Sequence, residues 1–391
     1  MPGGGAGASA GGTGAVADCA SRPPLPEGSA GDPALSDVSM VSAGDRHTCA
    51  LRRDGSALCW GWGASGQLGD GFAANALAPV AVSGLTNASE LSAGAAHTCA
   101  LSRSSGVGCW GSGLDGELGD GSIAGSAVPV FVLGLSDVSQ ISTGYSYTCA
   151  LRQTGNVMCW GDGIAGQLGN GNYEYRVSSP VEVTGLTNAV AVSAGAVTAC
   201  ALLADRGVVC WGEAARGQFG NGSINSSAVP VRVTGLTDAV ALSVGDLHAC
   251  ALREGGTVAC WGTNHYGVLG SGSSSAFEPI DVTVISDAVQ LAAGGYHTCV
   301  LRAGGSVACW GRNEEGQLGN GSTVPSAEPV AVAGLSDAVQ LTAGGLHTCV
   351  ARADGSVACW GGGAEGQLGN CATSDHGAPV SVTRELTGAR W

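Results

Sequence analysis

The sequence predicts an all-β fold, a seven-bladed β-propeller with about four short antiparallel strands per blade. Three observations carry that expectation. Cysteines ten residues apart recur seven times: Cys49 with Cys59, Cys99 with Cys109, Cys149 with Cys159, Cys200 with Cys210, Cys250 with Cys260, Cys299 with Cys309 and Cys349 with Cys359. Successive pairs lie 49 to 51 residues apart. The second member of each pair is followed by Trp-Gly, at Trp60, Trp110, Trp160, Trp211, Trp261, Trp310 and Trp360. Within a repeat the apolar residues alternate with the period of a strand, and no stretch of ten or more residues shows helical spacing free of glycine.

The last repeat shows the elements in order. Residues 338–343 (AVQLTA) alternate and then meet Gly344-Gly345. A second run, 347–351, begins at His347 and holds Cys349. Asp354-Gly355 is a turn signal, because hairpin turns want positive φ. The third run, 356–360, ends on Cys359-Trp360, and Gly-Gln-Leu-Gly-Asn follows at 366–370. The fourth run is clearest in the preceding repeat as Pro-Val-Ala-Val at 329–332. Such a unit cannot bury its own core, so neighbouring units must cover one another. Solenoid coils are usually shorter and need caps at both ends, whereas a ring needs none.

Gly-x-x-His-(Thr/Ala)-Cys-Ala-Leu, Asp-Gly, Cys-Trp-Gly, Gly-Gln-Leu-Gly-(Asp/Asn)-Gly and Pro-Val-x-Val together resemble the repeat of the regulator-of-chromosome-condensation family, in its bacterial cysteine-rich form. The resemblance covers all seven repeats. It implies a seven-bladed propeller, in agreement with the count above, and a habit of binding proteins. It does not fix an activity. The family's eukaryotic founder is a guanine-nucleotide exchange factor on chromatin, and a secreted bacterial relative binds β-lactamases with one propeller face.

Composition narrows the partners. The 391 residues are 44% hydrophobic and carry a net charge of −15. No apolar run approaches the ~18 residues of a membrane span, so no membrane insertion is expected. All 16 basic residues are arginine. So acidic a chain lacks the electrostatic footprint of a nucleic-acid binder. The expected partner is another protein, and the expected state is a monomer.

Sixteen cysteines are many for a reducing compartment. Zinc would want ligands at closer spacing, and a redox site would want Cys-x-x-Cys. His47, His97, His248, His297 and His347 precede the first cysteine by two residues, but Tyr147 and Thr198 stand there in repeats three and four. The ten-residue spacing across a midpoint turn favours cross-strand disulfides, since opposed residues have Cα atoms roughly 4.5–5.5 Å apart. Buried free thiols, acting as small hydrophobes, are the alternative. Cys19 and Cys371 lie outside the pattern and are expected to pair across the seam of the ring.

Residues 1–33, rich in Gly, Ala and Pro, read as a flexible tether, 34–386 as the propeller, and 387–391 as a tail. The cysteine pairs point to an extracytoplasmic protein, secreted or on the cell surface, although no signal-peptide pattern is visible; a cytoplasmic protein with reduced cysteines is the alternative.

No catalytic, metal-binding or cofactor motif breaks the repeat, so neither enzymatic activity nor a cofactor is expected. The departures from the repeat lie elsewhere. Repeat three carries Tyr145, Tyr147 and an Asn-Tyr-Glu-Tyr-Arg loop with Tyr173, Tyr175 and Arg176. Tyr and Arg are the types enriched at interface hot spots. Trp62, His265, Tyr266 and the 312–315 run fall in equivalent loops, so they should share one face of the ring. The expected function is a non-enzymatic protein-binding scaffold whose partner face centres near repeat three. The alternatives are an exchange-factor-like regulator of a small GTPase, on the resemblance alone, and an extracellular hydrolase or lyase, if carboxylates from different blades meet in the channel.

Overall fold

The computed structural model describes residues 35–272 and 274–383. Twenty-eight strands form seven four-stranded antiparallel sheets, each made of four consecutive strands. Blade one comprises Val38–Ala43, His47–Arg52, Ala57–Gly61 and Ala76–Ala81; blade seven comprises Ala338–Ala343, His347–Arg352, Val357–Gly361 and His376–Ser381. The expected tether and tail lie outside the described residues.

Each core sits between blades rather than within one. Cys49, Leu51, Cys59, Leu68 and Val82 of blade one pack against Leu91, Ala100 and Trp110 of blade two. The second strand is therefore covered on both faces, and His47–Ala50 are wholly buried. Each copied tryptophan is buried and donates its indole N–H to a backbone carbonyl of the preceding blade, as in Trp110 to Gln67 and Trp160 to Glu117, both at 2.9 Å. The tryptophans are thus inter-blade packing.

Blade seven meets blade one by the same contacts. Trp60 donates to the Gln367 carbonyl at 2.9 Å, and His347 Nε2 bonds Thr48 Oγ1 at 2.8 Å. Among the described residues no strand is exchanged between blades. Ring closure rests on packing, side chains and a few backbone bonds, such as Val38 N–H to the Gly355 carbonyl and Gly345 N–H to that of Gly44.

All seven repeated cysteine pairs are disulfides, each joining directly opposed residues of the second and third strands. Blades one to three hold Cys49 bonded to Cys59, Cys99 bonded to Cys109 and Cys149 bonded to Cys159. Blades four to seven hold Cys200 bonded to Cys210, Cys250 bonded to Cys260, Cys299 bonded to Cys309 and Cys349 bonded to Cys359. The Cα atoms lie 4.0–4.1 Å apart, so the expectation of roughly 4.5–5.5 Å needs correction. Each disulfide sits where side chains of opposed strands already approach most nearly, and the bond draws the backbones closer still. Free buried thiols are therefore not the arrangement at any of these fourteen positions. Cys371 is also disulfide-bonded; the expected pairing with Cys19 lies outside the described residues.

The hairpin turn differs slightly from the two-residue form that Asp-Gly suggests. Residues 353–355 span it, Arg352 and Ser356 close it, and Gly355 takes φ 82°.

Candidate partner-binding face

The turns between first and second strands and the loops between third and fourth strands open on one face of the ring. Backbone bonds tie them together: Trp62 N–H donates to the Arg46 carbonyl and Asp162 N–H to that of Ser146. Trp62, Tyr145, Tyr173, Tyr175, Arg176, His265 and Tyr266 therefore share this face.

Tyr147 does not, which corrects the sequence reading. It is fully buried, and its hydroxyl donates to the Thr198 carbonyl at 2.9 Å. The reason lies in the blade seams. His47 Nε2 bonds Thr98 Oγ1 of the next blade at 2.8 Å, and His97, His248, His297 and His347 repeat the bond to Thr148, Thr298, Thr348 and Thr48. Blades four and five carry Ala199 and Ala249 in place of that threonine. The residues facing those alanines are Tyr147 and Thr198, each of which bonds a backbone carbonyl instead. Histidine occurs where the next blade offers a hydroxyl. The pairing is visible in the sequence as Thr-Cys against Ala-Cys one repeat later.

Blade three extends its last hairpin. Its third strand runs Val157–Gly163 and its fourth Glu174–Glu182, longer than their counterparts. The extension holds Tyr173 and Tyr175 more than half exposed, with the Arg176 guanidinium 4.6 Å from the Tyr175 ring centroid. Exposed Leu114 and Ile164 occupy the same loop position in blades two and three, and Arg176 reaches Asp115 of blade two at 4.0 Å.

At the channel mouth on this face, the residue after the inner-strand glycine reads Asp45, Ala95, Tyr145, Ala196, Asp246, Gly295 and Gly345 around the ring. The Tyr145 hydroxyl donates to Asp246 Oδ2 at 2.8 Å. Burial pushes the Asp246 carboxyl up to about 6 against that hydrogen bond, with the charge of Asp45 adding to the rise. Burial also raises Asp45, opposed by Arg46, and it raises the Tyr145 phenol, which the Asp246 charge lifts further. Two carboxylates from different blades thus line the channel mouth, an arrangement the sequence leaves open. Among the described residues no cluster of three or more His, Cys, Asp or Glu could hold a metal.

The opposite face is closed by ion pairs. Arg52, Arg152, Arg253, Arg302 and Arg352, each ending a second strand, hold Asp37, Asp137, Asp238, Asp287 and Asp337 at 2.5–3.0 Å. Blades two and four lack the arginine and carry Asn87 and Asn188 in place of the aspartate. On the loop face the carboxylates of Asp45, Asp115, Asp120, Asp246, Glu314 and Glu365 outnumber the loop arginines Arg46, Arg176, Arg216 and Arg312. The repeated Asp and Asn of the Leu-Gly-Asp/Asn-Gly stretches bond the amide two residues on, as Asp120 does at Ser122 and Asn320 at Ser322. They are turn-formers, not ion ligands.

Seven four-stranded blades closed into a ring by buried seams, with a variable loop face, define a seven-bladed β-propeller. The profile of the RCC1-like domain matches residues 6–290 and 127–390, and the chain belongs to that family. Similar solved structures include Prp20p from Saccharomyces cerevisiae, described with its binding to Gsp1p and histones, at 20% identity over 90% of this chain and 88% of that one, TM-score 0.75. Human WBSCR16 matches at 22% identity over 79% and 86%, TM-score 0.71. The CRINKLY ectodomain of the Arabidopsis thaliana receptor kinase ACR4 matches at 19% over 90% and 100%, TM-score 0.52. At these identities the likeness is one of fold. No curated protein sequence matches the chain.

Proposed function

We propose that the protein is a non-enzymatic binding propeller that engages another protein through its loop face, centred on blades two and three, in an oxidising extracytoplasmic compartment. The observation that carries this reading is the contrast between faces. The opposite face carries the same Arg–Asp clamp in five blades, whereas the loop face of blades two and three carries exposed Tyr173, Tyr175, Leu114 and Ile164. Exposed aromatic and apolar residues gathered on one surface are the composition of an interface core. The similar fold of Prp20p, whose description names protein partners, is consistent with such a role. Seven disulfides support the compartment.

Cross-linking to the envelope and secreted fractions of the native host, followed by peptide mapping, tests the face. Links should concentrate on the loops of blades two and three. The Tyr173→Ala/Tyr175→Ala/Arg176→Ala variant should lose its partner with an unchanged melting temperature. Links on the opposite face, or a variant that still binds, would overturn the reading. The presence of both Asp45 and Asp246 at the channel mouth favours one second reading, a hydrolase with paired carboxylates, and turnover of a glycan or ester panel abolished by Asp246→Asn would establish it instead.

A further inference from the structure

We infer that Tyr145 and Asp246 form a strap that holds blade four in the ring, and that the seam between blades four and five opens first when the strap is released. The Tyr145 hydroxyl donates to Asp246 Oδ2 at 2.8 Å, so blade three bonds blade five directly and passes over blade four. A hydroxyl on a carboxylate is among the stronger hydrogen bonds. Blade four presents only Ala196 at that ring position, and the Ala196 carbonyl accepts the Tyr145 backbone N–H at 3.4 Å. Elsewhere in the ring this position carries aspartate, alanine or glycine, so the turn itself does not need a tyrosine.

The second observation is the seam that the strap bypasses. Five seams are joined by a histidine that bonds a threonine of the next blade, and blade three reaches blade four through Tyr147. Thr198 of blade four, which faces Ala249, turns its hydroxyl back to the Glu213 carbonyl of its own blade at 2.7 Å. The shared bond therefore does not cross from blade four to blade five. Val244 of blade five fills the place of the missing imidazole. A Cβ on Gly195 would stand 2.7 Å from Val244 Cγ1, whereas one on Gly44 would meet the His47 ring.

The channel side of this seam is short of a bond as well. Gln140, Gln290 and Gln340 each accept an amide of the next blade, but blade four carries Ala191 there. Blades one and five also lack that glutamine, at Met40 and Ala241, yet keep the histidine bonds of His47 and His248. Trp261 to the Gln218 carbonyl at 2.8 Å and Val244 N–H to Ser193 Oγ at 3.1 Å still cross the seam, with counterparts around the ring. The Arg206–Glu254 ion pair crosses it too, but both side chains are at least half exposed, and such pairs contribute little. A seam short of two partly or fully buried bonds opens at lower free energy than its neighbours, and a bond that bypasses it restores part of the difference.

Hydrogen–deuterium exchange on the disulfide-intact protein, with peptides recovered after reduction in the quench, tests the strap. Tyr145→Phe and Asp246→Ala should each speed exchange several-fold in residues 189–203 and 239–253, and change 38–52 and 338–352 by less than about twofold. The Tyr145→Phe/Asp246→Ala double variant should exchange no faster there than either single one, because both remove the same bond. Thr198→His/Val244→Ala/Ala249→Thr, which copies the histidine seam, should make Tyr145→Phe silent. Melting curves verify folding, and the Tyr145→Phe/Asp246→Ala comparison decides the matter if the copied seam does not fold. Unchanged exchange in blades four and five, an equal rise around the whole ring, or additive effects in the double variant would overturn the inference.

Discussion

At the scale of residues, the seams show how a buried histidine is made tolerable. Thr98 Oγ1 donates to the Gln67 carbonyl at 2.9 Å, so its oxygen is left to accept from His47 Nε2–H. The ring is neutral, and burial holds it far below the ordinary histidine range, at about 3 for His47 and about 4 for His248. Thr98→Ala should cost about 1–3 kcal/mol by stranding His47 Nε2–H, while the Gln67 carbonyl keeps the Trp110 indole. His47→Thr/Thr98→Ala, which copies the seam between blades four and five, should cost less than the sum of the single changes in urea melts. Glu90 offers the opposite case. It occupies a channel position where Gln140, Gln290 and Gln340 bond the next blade's backbone, and burial pushes it up to about 7. A raised carboxyl stabilises fully below the unfolded value near 4.5, and that contribution is lost as pH rises through 7. Glu90→Gln should therefore leave stability unchanged at pH 4, with a gain that grows to at most about 3 kcal/mol above pH 7.

At the scale of elements, the hairpin is the most legible part. Alternation places the inner strand of blade seven at 338–343, and the structure gives Ala338–Ala343. The cysteine spacing puts both partners opposite each other, as Cys299 and Cys309 are in blade six. Removing that staple, by Cys299→Ala together with Cys309→Ala, should cost about 2–3 kcal/mol in thermal or urea unfolding, whereas neutralising one half-exposed Arg302–Asp287 pair should cost under about 1 kcal/mol. Tyr147 misleads for a physical reason. A tyrosine that departs from a repeat can mark an exposed contact or a seam whose neighbour has changed. The distinction lies in Ala199, one repeat away, rather than in the tyrosine itself. The convergence of Asp45 and Asp246 on one channel mouth is illegible for a related reason: three blades lie between theirs in sequence order, and only closure of the ring brings both to it.

At the scale of the whole molecule, five seams built alike on a buried histidine make the ring's response to acid collective. His47, His97, His248, His297 and His347 all have depressed values in the folded protein, so their contribution is present above the unfolded pKa near 6.5 and is lost as pH falls toward 3. Each can cost about 1.4 kcal/mol per pH unit across that window. Intrinsic fluorescence of the buried seam tryptophans should report cooperative acid unfolding between about pH 6 and pH 4. A protein still folded at pH 3 would contradict the neutral-histidine seams. The staples and the compartment are joined in one central claim, that the ring is built for an oxidising setting. The direct test is a thiol count on protein purified from its native host, denatured without reductant, alkylated and weighed intact. The account predicts no modified cysteines. Modification of all sixteen would mean that the pairs are packing residues in a reducing cytoplasm, and the search for an extracytoplasmic partner would be misplaced.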